Sequence, residues 1–79
     1  MPATLRDAEK AIKTAIMDVQ ALGELPYRPV IIDAAVKSLT MYEGDEHHAR
    51  DLVARALADL RQRGVLHSHD GAWNIWTLN

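Results

Sequence analysis

Four histidines, His47, His48, His67 and His69, are the side chains of this 79-residue chain that first suggest chemistry. His67 and His69, two residues apart, would share one side of a strand, and His47 with His48 could add a ligand, which is how a zinc site would have to be built. Small zinc sites usually rely on cysteines or a helical His-x-x-x-His. The chain has no cysteine and no such spacing, so we expect no metal and no cofactor. Catalysis has no better footing, since neither a Gly-rich phosphate loop nor a nucleophile with its partners is recognisable. The carboxylates are spread through helical segments beside arginines or at caps, and the expectation is a non-enzyme.

What remains is contact chemistry. Residues 45–63 hold Asp45, Glu46, Asp51 and Asp59 with Arg50, Arg55, Arg61 and Arg63, so the segment nets zero in a chain of formal charge −2. Glu46 with Arg50, Asp51 with Arg55 and Arg55 with Asp59 are each four apart and can pair along a solvated helix face. Asp45 and Glu46 would complement the positive end of that helix. Two tryptophans, Trp73 and Trp76, close the chain in VLHSHDGAWNIWTLN.

These residues need elements to position them, and periodicity supplies four. Thr4 with Asp7 has the form of a capping box, and Leu5, Ala8, Ile12, Ala15, Ile16, Val19 and Leu22 recur at helical spacing up to Gly23, predicting a helix over about 4–22. The two prolines of ELPYRP interrupt it. Pro29 suits a first helical position, and VIIDAAVKSL predicts a second helix over about 29–40. MYEGD breaks the pattern, Asp45 is an N-cap candidate, and Leu52, Val53, Ala56, Leu57 and Leu60 make one face of a third helix, about 45–63, ended by Gly64. Beyond it two short apolar segments flank Asp70-Gly71, a favoured two-residue turn, predicting a hairpin over about 65–78. The fold class expected is mainly α with a C-terminal β-hairpin, α+β, in a single domain spanning 1–79. Hydrophobic and charged fractions of 48% and 25% are those of an ordinary globular chain, and order is expected except at the ends. No apolar run approaches the roughly 18 residues of a membrane span, and MPATLRDAEK lacks the apolar core of a signal peptide, so a soluble, cytoplasmic protein is expected.

Three helices and a hairpin, with ALADLRQRGVL leading into DGAWNIWTL, resemble the winged helix-turn-helix superfamily. The resemblance covers most of the chain and is sharpest over residues 53–78. It implies that the third helix enters the major groove of duplex DNA and that the hairpin, or wing, touches backbone or minor groove. A short strand normally lies between the first two helices of this family, and only Leu25 to Arg28 can serve here. The Z-DNA-reading branch is not matched, because Ala54 and Ala58 stand where it carries an asparagine and a tyrosine, although IWTL looks similar.

With a two-residue turn, Ser68 would face Trp73, His67 would face Asn74, Leu66 would face Ile75 and Val65 would face Trp76. Leu66 and Ile75 are then expected in the core, with Trp73 at its edge and Trp76 on the far side beside His67 and Asn74. A longer loop that slips the register by one residue would exchange the sides and bury Trp76 with Leu78. An exposed Trp76 would either cover the foot of the first helix or anchor a partner.

The candidate contact residues are therefore His47, Arg50, Ala54, Arg55, Arg61, His67, His69 and Trp76. Opposite the apolar stripe of the third helix, His47, Arg50, Ala54, Ala58 and Arg61 form a face with small centres and basic ends, which could meet either a duplex or another protein helix. Ala11, Met17 and Ala21 lie off the main stripe of the first helix, where a homodimer seam is conceivable. The expected role is a small DNA-binding transcriptional regulator, which the architecture, the one specific signal, favours; the alternative is an acidic protein-binding inhibitor of the kind exemplified by phage anti-CRISPR proteins, which charge and size favour.

Overall fold

A computed structural model describes residues 3–43, 45–68 and 76–78. Three helices are followed by two short strands: α1 Leu5–Ala21, α2 Arg28–Glu43, α3 Glu46–Gln62, β1 Leu66–Ser68 and β2 Trp76–Leu78. The expected mainly helical α+β class, closed by a C-terminal hairpin, is what the chain adopts. Among the described residues no helix is long and apolar enough to cross a membrane.

Local chemistry sets the helix ends. Thr4 caps α1, its backbone N–H donating to Asp7 Oδ2 (3.0 Å) while Asp7 N–H donates to Thr4 Oγ1 (3.4 Å), the reciprocal box that satisfies two otherwise orphaned donors. At the other end Gly23 has φ +77°, and Glu24 N–H reaches back to the Val19 carbonyl (3.1 Å). The same reversal ends α3, where Gly64 has φ +77° and Val65 N–H donates to the Leu60 carbonyl (2.9 Å). Both are six-to-one closures that need a left-handed residue, which glycine adopts without steric cost. Asp45 caps α3 by accepting from His47 N–H (3.0 Å) and His48 N–H (3.3 Å).

The second helix is longer than its sequence pattern predicts. Tyr27 offers its carbonyl to Ile31 N–H (2.9 Å), so the helix begins at Arg28 with Pro29 second, still inside the first turn, where a missing N–H costs nothing. At its end Met41, Tyr42 and Glu43 continue the helix. They interrupt the apolar period, but none of them opposes helical backbone, and no breaker precedes Gly44.

The three helices share one core in which Ile12, Ile16, Ile31, Leu39, Val53 and Leu60 are the largest fully buried side chains. Ala11, expected on the outer face of α1, is 9% exposed and belongs to this core. Its position, one residue before Ile12 and four before Ala15, widens the buried stripe to the arc a helix needs when it meets two neighbours.

The hairpin departs from the expected register. Leu66 pairs with Leu78, His67 with Thr77 and Ser68 with Trp76, so Trp76 sits opposite Ser68 and not Val65. That offset is three residues, an odd number, and an odd slip exchanges the two faces of a strand. Trp76 is accordingly buried, 3% exposed like Leu66, and the expectation of an outward Trp76 beside His67 is corrected. The Asp70-Gly71 turn expected between the strands falls on residues 69–75, which lie outside the described residues. His69, Asp70, Gly71, Trp73, Asn74 and Ile75 themselves fall outside the described residues.

On its other edge β2 meets the link between α1 and α2. Trp76 N–H donates to the Pro26 carbonyl (3.0 Å), and Tyr27 makes an isolated β-bridge. Strand β2 therefore lies between β1 and residues 26–27, and the weak third strand is reduced to a single pairing.

Candidate macromolecular interface on the third helix

The buried residues of α3, Ala49, Leu52, Val53, Ala56, Leu57 and Leu60, point into the bundle and turn the opposite side to solvent. His47, Arg50, Ala54, Ala58 and Arg61 are exposed there, and Arg55 flanks them. So the face read from the sequence exists as a surface. Its charges decide what it can meet.

Three of its arginines are held by carboxylates. Arg50 donates to Glu46 Oε1 (3.3 Å), one turn back on the same helix, and lies 3.5 Å from Asp33 Oδ1 of α2. Arg55 pairs with Asp51 (3.1 Å). Asp59, four residues from both Arg55 and Arg63, takes Arg63 (2.9 Å), which also binds Glu9 of α1. The expected Arg55–Asp59 pair is thus replaced: Arg55 already has Asp51 one turn back. Each exposed pair contributes only about 0–1 kcal/mol to stability. Their weight here is electrostatic, because Glu9 and Asp33 bring two further carboxylates to a helix whose own charges already cancel.

Arg61 is placed differently. Its guanidinium carbon lies 5.8 Å from the centre of the Trp76 ring, a cation–π geometry that ties the last turn of α3 to β2. Trp76 therefore joins this face only from beneath, through Arg61, and a residue buried to this degree offers a partner no ring to grip. His67 is exposed on β1, next to the buried Leu66. Among the described residues, no group of three or more His, Cys, Asp or Glu could hold a metal ion.

Beside the first turn of α3 an open cleft of about 460 Å³ is lined by Asp33, Val36, Lys37, Thr40, Met41, Glu46 and Arg50. Several of its polar groups are committed to one another: Arg50 bridges Asp33 and Glu46, and the Thr40 hydroxyl donates to the Val36 carbonyl (2.7 Å). Met41, 86% exposed, forms one wall, so the cleft offers an apolar contact with a charged border and not a substrate cage.

One surface was passed over in reading the sequence. On α1, opposite the buried stripe, Arg6, Lys10 and Lys13 recur at i, i+4 and i+7, followed by Met17, which is 53% exposed. Among the described residues none of the three cations has a hydrogen-bond or ion-pair partner. The i, i+4, i+7 spacing of the three cations is the sequence signal for this face. No protein-family model, curated protein or solved structure matches this chain.

Proposed function

We propose that this chain is a non-catalytic binding protein of winged-helix type that docks a protein partner on the outer face of α3. The winged-helix reading is supported by the strand order, with β2 between β1 and the α1–α2 link, and by the sequence of three helices before the hairpin. The cytoplasmic location expected from the sequence goes with this reading.

The single observation that carries the choice of partner is the pairing of the α3 arginines. A helix that reads duplex DNA must present net positive charge, because phosphate contacts supply most of the attraction. Here Arg50, Arg55 and Arg63 sit against Glu46, Asp33, Asp51, Asp59 and Glu9, and Asp45 and Glu46 occupy the end that would approach the bases. Exposed Ala54 and Ala58 at the centre, ringed by paired charges, suit a protein helix instead: small side chains allow close approach and the rim stays solvated. An inhibitor that occupies a larger complex is the role such a surface fits. A homodimer through α1 is not part of the reading, since two copies meeting there would oppose Arg6, Lys10 and Lys13 to themselves.

Affinity capture with the wild-type chain and with an Ala54→Glu, Ala58→Glu variant tests the proposal. A partner retained by the wild type at salt that screens phosphate contacts, and lost from the variant, is expected. Retention of the same partner by the variant would remove α3 as the docking face. Duplex binding that collapses on Arg50→Ala and Arg55→Ala would restore the DNA-reading alternative.

A further inference from the structure

We propose that the outer face of α1 is a second contact surface, which binds the phosphate backbone of duplex nucleic acid through Arg6, Lys10 and Lys13. This inference does not rest on the protein-docking role of α3. It starts from a local conflict in the helix. Arg6 and Lys10 are like charges four apart, Lys10 and Lys13 three apart, and Arg6 stands in the first turn, where the helix dipole already disfavours a cation. Among the described residues nothing relieves this. Glu9, four residues before Lys13, is taken by Arg63 of the far helix, and Asp7, three before Lys10, is taken by Thr4 in the capping box. In a chain with net charge −2, the cations of α1, which have no ion-pair partner among the described residues, are collected on one face, while Arg50, Arg55 and Arg63 are spent on carboxylates.

Charge complementarity identifies the occupant. At about 1.5 Å of rise per residue the three cations span about 10.5 Å along a straight rod. Each strand of a duplex offers one negative charge per about 3.4 Å of axis, so a row of about three phosphates meets the whole stripe without bending either partner. The side chains on this face beside the cations, Thr14 and Gln20, are exposed and can donate to phosphate oxygens, a contact that fixes position and reads no sequence. An acidic protein surface is the competing occupant and would lean on Met17 beyond the cations. The cations themselves enclose no apolar centre of the kind a protein interface requires.

The test is a titration of a labelled random-sequence duplex of about 20 base pairs, two helical turns, followed by fluorescence anisotropy. With three phosphate contacts, the wild type should bind about 40-fold more weakly at about 200 mM than at about 50 mM salt. Arg6→Glu, Lys10→Glu, Lys13→Glu should weaken binding at the lower salt by at least about tenfold; Arg6→Glu puts an acid in the first turn, where it favours the helix, and the other two changes fall on the outer face, so circular dichroism should show the variant folded. The milder Lys10→Gln, Lys13→Gln variant should reduce the salt slope by about two units, a change that lost folding alone would not produce. Ala54→Glu, Ala58→Glu should leave duplex binding unchanged, which separates failure of this inference from failure of the α3 reading. Three results would overturn the proposal: no duplex binding at the lower salt, duplex affinity that survives the triple substitution, or polyglutamate bound as tightly as duplex, which would hand the face to an acidic protein.

Discussion

Trp76 shows how much one side chain can carry in a small domain. It is 3% exposed, donates its backbone N–H to Pro26 and lies under Arg61, so it joins β2 to the α1–α2 link and to α3 at once. Trp76→Ala should cost about 3–5 kcal/mol, the range for removing a large buried aromatic, as read by denaturant unfolding. Against a total stability of roughly 4–12 kcal/mol for a chain of this length, that loss would leave the fold marginal. A change below about 1 kcal/mol would mean that the ring is not core. Arg61→Ala should cost only about 0.5–1 kcal/mol, the worth of an exposed cation–π contact, and a larger loss would point to a wider role for Arg61.

Among the elements, the helix ends are the most local and hence the most readable. Thr4 with Asp7, Gly23, Asp45 and Gly64 are all legible from residue type, because a cap depends on neighbours within a turn. Gly64→Ala offers a clean check. Nothing lies within 4 Å of the added Cβ, so only the left-handed backbone opposes it, and a loss of about 1–2 kcal/mol is expected in thermal or denaturant unfolding. No loss would mean that α3 can end in another way. The end of α2 was read short because a break in apolar period is not a break in helix. Hairpin register was misread for a different reason: Asp70-Gly71 is a strong local turn signal, yet the pairing of a three-residue strand is settled by which face can bury Trp76.

At the scale of the whole molecule, three helices in mutual contact and a strand pair tied to two of them leave no part able to bury its apolar face alone. Unfolding should be a single cooperative transition, with helical circular dichroism and the fluorescence of Trp76 in a Trp73→Phe background changing together. If the fluorescence change came first, the hairpin would be an independent, weaker unit. Charge, too, is a property of the assembled surface. The formal balance of −2 conceals a division between Arg50, Arg55 and Arg63, which are neutralised by carboxylates from three helices, and the cations of α1, which have no ion-pair partner among the described residues. Which face meets which partner follows from that division, and neither helix shows it in isolation.

The sequence by itself determined the number and order of the helices, the ends of α1 and α3, the presence of a terminal hairpin, the buried face of α3 and the outward positions of His47, Arg50, Ala54, Arg55 and Arg61. All of these depend on spacing within an element or on a cap within a turn. Tertiary structure decided the rest: that Trp76 faces inward, that Ala11 is core, that Asp33 and Glu9 reach across to Arg50 and Arg63, and that residues 26–27 lie against β2. Each of these joins residues far apart in the chain, where no period relates them, and the outcome depends on how three buried stripes and one tryptophan can be covered together.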